Sequence, residues 1–212
     1  MTSIRDVYVQ TAHSAGRLLR APAVAARWDA PSALAEFSVR GLAGHLAWQV
    51  LSVPRVLAEP TAGEPPIGLL DHYGNVKWLG ADVNDDVNVD IRAGGERVAA
   101  DGAADLAERV DAAARELPAI LAAEPADRVV TLPWTGWSLR LDDFLVTRLM
   151  EIAVHSDDLA VSVGVSAPEL APAALDPVLA LLSRLAVRRH GQASVLRALS
   201  RAERAPATIA AI

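Results

Sequence analysis

Glu151 and His155 stand four residues apart in the segment "RLMEIAVHSDDL", residues 148–159. That spacing sets two ligand-type, proton-carrying side chains one above the other on the same face of a helix. Arg148 and Asp158 extend the series, because at roughly 100° per residue all four fall within an arc of about 80°. Leu145, Val146, Leu149, Met150, Ile152, Ala153, Val154 and Leu159 cover most of the remaining circumference. Such an arc has two readings: the wet side of an otherwise buried helix, or a functional face turned inward. Its composition leans toward the second, since arginine is its only long solubilising residue and a histidine lies within it.

A partner for this face lies in "GLAGHLAWQV", where His45 is the one ionisable side chain among Leu42, Ala43, Leu46, Ala47 and Trp48. Alone, such a histidine is more often a hydrogen-bonded core residue than a ligand. With Glu151 and His155 it completes a set of two histidines and one carboxylate. Three nitrogen and oxygen donors that leave a fourth position open for water or substrate are the arrangement of catalytic zinc sites.

These residues need elements to position them. A first helix is expected over Ile4 to Leu19, ending near Pro22. Ser38 is a candidate N-cap for a second, "VRGLAGHLAWQVLSVPRVLAE", which Pro54 should kink or end. "LLDHYGNVKWLGA" reads as a third helical stretch, and "DVNDDVNVDIRAGGE" as a loop broken by its two glycines. The alanine-rich "GAADLAERVDAAARELPAILAA" is an amphipathic helix, and "DRVVTLPWTGWSLRL" alternates around a turn, as a short hairpin does. The helix carrying Glu151 and His155 follows at once, with Asp142 as candidate N-cap and Gly164 as its stop. One or two more helices are expected after it. Four long helices with a short hairpin predict a mainly α protein, an antiparallel four-helix bundle whose sites are built from facing helices. Residues 1–165 form the bundle in this reading, and 166–212 a helical C-terminal extension packed on it.

Composition narrows the partners. The chain has 212 residues, 52% hydrophobic and 22% charged, with a net charge of −6 and no basic stripe to attract nucleic acid. Arg5 and Asp6 interrupt the start where a signal peptide needs an apolar run, and no run of about 18 apolar residues spans a membrane. A cytoplasmic protein is expected. With no cysteine, any thiol chemistry must use an external thiol.

Other combinations carry less. Ser156 beside His155, with Asp157 and Asp158, cannot align as a hydrolytic triad, since neighbours on a helix point about 100° apart. "RAGGE" lacks the glycines and lysine of a phosphate loop. Trp134 and Trp137 are readable as hairpin packing or as a pocket wall. The arginines of "RRHGQASVLRALSRAER" are most simply a solvated helix face, and His13, His72 and His190 have no partner at ligand spacing.

"FSVRGLAGHLAWQV", followed about a hundred residues later by "RLMEIAVHSDDLAVSVG", resembles the DinB-like superfamily, and within it the mycothiol-dependent maleylpyruvate isomerase family. The resemblance covers roughly residues 4–164. It implies a metal, zinc (Zn2+) or another divalent ion, on His45, Glu151 and His155. It also implies catalytic positions at Arg148 and Asp158: the arginine to bind a substrate carboxylate or form an interhelical ion pair, the aspartate to orient a liganding histidine or hold the helix. The cofactor it implies is mycothiol, a low-molecular-weight thiol. The substrate would be a small electrophile that is isomerised, or that keeps the sulfur in a transferase; a homodimer is left open. A DinB-like metal-binding module without catalysis, in stress response or partner binding, is the other functional class. Two departures are visible. Gly41 stands where an acidic residue would close a capping box with Ser38. Only the helical-looking stretch 165–212 follows Gly164, where the isomerase carries a separate mixed α/β domain.

Overall fold

The computed structural model describes residues 3–60 and 63–212. Helix α1 (Ile4–Leu19) starts at a capping box: Ser3 Oγ accepts from the Asp6 amide, and the Asp6 carboxylate accepts from the Ser3 amide. A short helix α2 (Pro22–Ala26) follows. Helix α3 (Val39–Ala58) begins at Ser38, whose hydroxyl accepts from the Gly41 amide at 2.8 Å. It runs on through Pro54 for another turn, so the proline does not end it; the missing donor deprives only the Val50 carbonyl of its i+4 amide.

Helix α4 spans only Leu69–Asn75, shorter than the 69–81 stretch expected, because Val76 turns to extended backbone. The larger correction concerns residues 82–96. They are not a loop: α5 (Asp86–Val98) occupies most of them. Of the two glycines that suggest a break, Gly95 has a packing reason instead, while a Cβ on Gly94 would meet nothing nearer than the Arg97 side chain. A Cβ on Gly44 of α3 would overlap the Gly95 carbonyl, and one on Gly95 would overlap the Gly41 carbonyl, so α3 and α5 touch backbone to backbone. Glu96 of α5 brings a carboxylate to this helix start, but to the Ser38 hydroxyl and not to the backbone amide that a capping box uses. The Ser38 hydroxyl donates to it at 2.5 Å, and Arg40 pairs with its other oxygen at 2.5 Å.

Helix α6 (Ala103–Ala123) leads into strands β1 (Val129–Thr131) and β2 (Ser138–Arg140), paired antiparallel with Val130 opposite Leu139. Strand β2 passes directly into α7 (Leu141–Val163), so the N-cap is Arg140 and not Asp142. Asp142 lies in the first turn, where its carboxylate accepts from Arg5 Nε at 3.1 Å. The same guanidinium donates to the carbonyls of Leu121, Glu124 and Pro125, closing the end of α6. Helix α7 ends at Gly164 in the left-handed conformation, φ 73°, as expected of a C-terminal glycine. Helices α8 (Pro172–His190) and α9 (Gln192–Ser200) complete the chain's main elements.

The helices α1, α3, α6 and α7 pack on one another as a bundle around Tyr8, Leu42, Leu46, Leu117, Phe144 and Leu145. Leu149 and Met150 of α7 belong to a second apolar cluster with Val7, Tyr73, Val178, Leu181 and Leu185, which joins α8 to the bundle. Burial on two sides explains why α7 is apolar around most of its surface, each fully buried leucine contributing about 1.5–3 kcal/mol. Its polar arc is the remaining side, and it faces α3.

Candidate metal centre

Helix α7 brings Arg148, Glu151, His155 and Asp158 to the face that meets His45 of α3. Glu151 is buried at 8% exposure, and one donor atom from each of His45, Glu151 and His155 lies within 4.8 Å of the others. Glu151 Oε2 is 3.1 Å from His155 Nε2 and 3.9 Å from His45 Nε2. The two imidazoles meet edge to face, with centroids 4.7 Å apart. The polar arc is therefore not a wet face. Nor is it sealed, since the His45 side chain keeps 18% of its surface exposed.

Of the three ligand-type groups, His155 is held from behind by a hydrogen bond. His155 Nδ1 is 3.0 Å from Asp158 Oδ2, which leaves Nε2 turned toward Glu151. Phe37 packs edge-on to His45 at 6.1 Å. His45 Nε2 has only a long contact with the Gln49 amide nitrogen at 3.4 Å and the Glu151 oxygen at 3.9 Å. It lies between a donor and an acceptor, at good hydrogen-bond length from neither.

Arg148 is buried and forms no ion pair among the described residues. Its Nη1 donates to Gln49 Oε1 at 2.6 Å and its Nε to Thr147 Oγ1 at 3.1 Å. The guanidinium lies 5.3 Å from the Phe144 ring and 6.0 Å from that of Trp134. Trp134 is 45% exposed and also meets Trp48, so this tryptophan borders the arginine at the surface. Trp137 turns instead to α4, where its Nε1 donates to Nδ1 of His72 at 3.0 Å.

The charges follow from these contacts. Burial would raise the Glu151 carboxyl, but the hydrogen bond with His155 and the nearby His45 imidazole outweigh it and hold the group well below the usual carboxylate range. Burial pulls His155 down, while hydrogen bonds to Asp158 and Glu151 overcome it and lift the imidazolium to about 9. His45 is lowered, mainly by burial. His72 is pushed down to about 4 by burial, with Arg148 adding to the effect.

This donor set fits a divalent cation. Two ligands each about 2.0–2.1 Å from a tetrahedral zinc lie about 3.3 Å from one another, and the 3.1 and 3.9 Å separations bracket that value. An ionised carboxylate and a neutral His45 are charge states such a site uses, and the tie of His155 Nδ1 to Asp158 aims its Nε2 at the centre, from which a cation must displace a proton.

Sequence reasoning overlooked Gln49 and His72. Gln49 is the one amide in its apolar run, four residues after His45 and thus on the same face; that spacing was the available signal. The partner of His72 is a tryptophan 65 residues away in sequence, which no spacing rule reaches.

Metal and ligand sites of helical bundles are built from side chains on facing helices, and here two histidines and a glutamate meet in that way. The chain belongs to the mycothiol maleylpyruvate isomerase N-terminal domain family, whose model matches residues 9–160. That span contains His45, Arg148, Glu151, His155 and Asp158. A crystal structure of the mycothiol-dependent maleylpyruvate isomerase superposes with a TM-score of 0.53 at 15% identity, covering 88% of this chain and 72% of that one. At that identity the likeness concerns the fold. No curated protein matches the chain. Among the described residues no helix is long and apolar enough to cross a membrane.

Proposed function

We propose that the protein is a divalent-metal-dependent, mycothiol-using enzyme that isomerises a small electrophile or transfers sulfur to it. The observation that carries this reading is the meeting of His45, Glu151 and His155 on facing helices, with Asp158 behind His155 and Arg148 beside the set. His45, Glu151 and His155 hold the metal, with zinc the ion their nitrogen and oxygen donors suit. A zinc ion there supplies the positive charge that keeps a thiol sulfur as its nucleophilic thiolate at neutral pH.

The chain's own residues do the rest. Asp158 fixes the His155 tautomer and turns Nε2 to the centre. Glu151 brings the negative charge that favours a cation over an empty, doubly imidazole-lined site. Arg148, a buried cation with no ion pair among the described residues, favours an anionic group of the incoming molecule, such as a carboxylate. The chemistry is addition of the thiol sulfur to a cis double bond conjugated to a carbonyl. The sulfur–carbon bond forms as the π pair moves onto the carbonyl, the former double bond rotates, and the pair returns as sulfur leaves. In a transferase the new sulfur–carbon bond remains and a proton is taken up. Residues 1–165 are the catalytic bundle in this reading and 166–212 an extension to it, in a cytoplasmic protein.

The test is thiol-dependent turnover by the metal-loaded protein, first with maleylpyruvate and then with a panel of small electrophiles. Turnover that needs mycothiol and disappears in His45→Ala supports the proposal. Full metal occupancy without thiol-dependent turnover on any of them identifies the non-catalytic metal-binding module instead.

A further inference from the structure

Gln49 is buried at 1% exposure, and its polar atoms are almost fully committed. Its backbone carbonyl accepts from the Tyr8 hydroxyl at 2.8 Å, its Oε1 accepts from Arg148 Nη1 at 2.6 Å, and its Nε2 donates to the His45 carbonyl at 2.9 Å. Arginine has only donors, so the amide atom facing it must be the oxygen. The amide therefore cannot turn over, and nitrogen is the atom it shows to the His45 ring. One of the two amide hydrogens is used by the His45 carbonyl. The other faces His45 Nε2 across 3.4 Å, too long for a good hydrogen bond.

We propose that Gln49 is a positioning residue of the metal centre: a fixed amide donor aimed at an anionic sulfur or oxygen ligand in the open coordination position. An amide nitrogen has no lone pair to offer a metal, so Gln49 does not fill that position. Once His45 Nε2 gives its lone pair to a cation, the spare hydrogen beside it has no partner on the protein. A negatively charged atom next to the same cation is within its reach. Arg148 acts through Gln49 by holding the amide's orientation, and Tyr8 by anchoring the backbone that carries it.

The inference rests on the metal reading above, and one experiment separates the two. Cobalt(II) is loaded into the wild type, Gln49→Glu and Gln49→Leu, and 2-mercaptoethanol is titrated in while the thiolate-to-cobalt charge-transfer band is followed. Gln49→Glu keeps the shape and still accepts from Arg148, but it has no N–H to give. Loss of one hydrogen bond to a charged partner should weaken thiolate binding about tenfold to a hundredfold in both variants, and shift the band relative to the wild type. Cobalt itself should remain bound, with affinity in Gln49→Glu equal to or above that of the wild type. Thiolate affinity and band position unchanged in Gln49→Glu would overturn the role of Gln49 and leave the metal site standing. A wild type that takes up no cobalt would overturn both.

Discussion

Metal uptake should be coupled to loss of a proton from His155. In the metal-free chain Asp158 and Glu151 hold this imidazolium to about 9, so at pH 7 the side chain carries a proton that a cation must displace. The two-unit gap between pH 7 and 9 corresponds to about 100-fold in apparent affinity, or about 2.7 kcal/mol at 1.36 kcal/mol per unit. Zinc affinity should therefore rise close to tenfold per pH unit from about 6.5 upward and level off near 9. Calorimetry at pH 7 in buffers of different ionisation enthalpy should find about one proton released per zinc bound. Asp158→Asn removes the charged partner of Nδ1, lowering the His155 pKa and flattening the slope. The same shift has a sign for the fold itself. A histidine whose folded pKa exceeds its unfolded value near 6.5 stabilises the metal-free protein most at low pH. That stabilisation is lost as pH rises through about 9. A zinc affinity independent of pH between 6.5 and 8.5, with no proton released, would refute the reasoning.

His72 behaves in the opposite sense. With its folded pKa at about 4, it favours the folded state above its unfolded pKa near 6.5 and loses that contribution as pH falls toward 4, by at most about 3 kcal/mol. Denaturant unfolding of the wild type and His72→Gln should show their stability difference shrinking by about 2 kcal/mol between pH 7 and 4.5; a constant difference would contradict it. Two neighbouring glycines should respond oppositely to alanine. Gly95→Ala drives a Cβ into the Gly41 carbonyl and should cost about 2 kcal/mol or more. Gly94→Ala meets nothing nearer than the Arg97 side chain at 3.8 Å and should stabilise the helix by about 0.5–1 kcal/mol. Thermal denaturation of the pair checks both.

Periodicity alone carried the bundle, because α1, α3, α6 and α7 are long enough for an apolar stripe and its stop signals to be unambiguous. It failed at α5, where Gly94 and Gly95 read as a break. A glycine required by the approach of another helix is indistinguishable, in one sequence, from a glycine that ends one. Asp142 was a reasonable cap by type, but β2 enters α7 without a loop, and the carboxylate serves Arg5 from the far end of the chain instead. The ligand-type residues were legible because three of the group repeat at helical spacing and His45 is alone in its run. The arginine's true partner was not legible, since Gln49 lies 99 residues away in sequence and is drawn to Arg148 by the antiparallel meeting of α3 and α7. Sequence spacing describes one helix face at a time. What joins two faces is visible only once they meet.

The central claim is that His45, Glu151 and His155 together hold one metal ion. Metal content by mass spectrometry, measured on the wild type and on His155→Ala after equilibration with limiting zinc, addresses it most directly. The account predicts about one zinc per chain in the wild type and near-complete loss in the variant, with both proteins folded by circular dichroism. Equal zinc in the two, or none in the wild type, would contradict it.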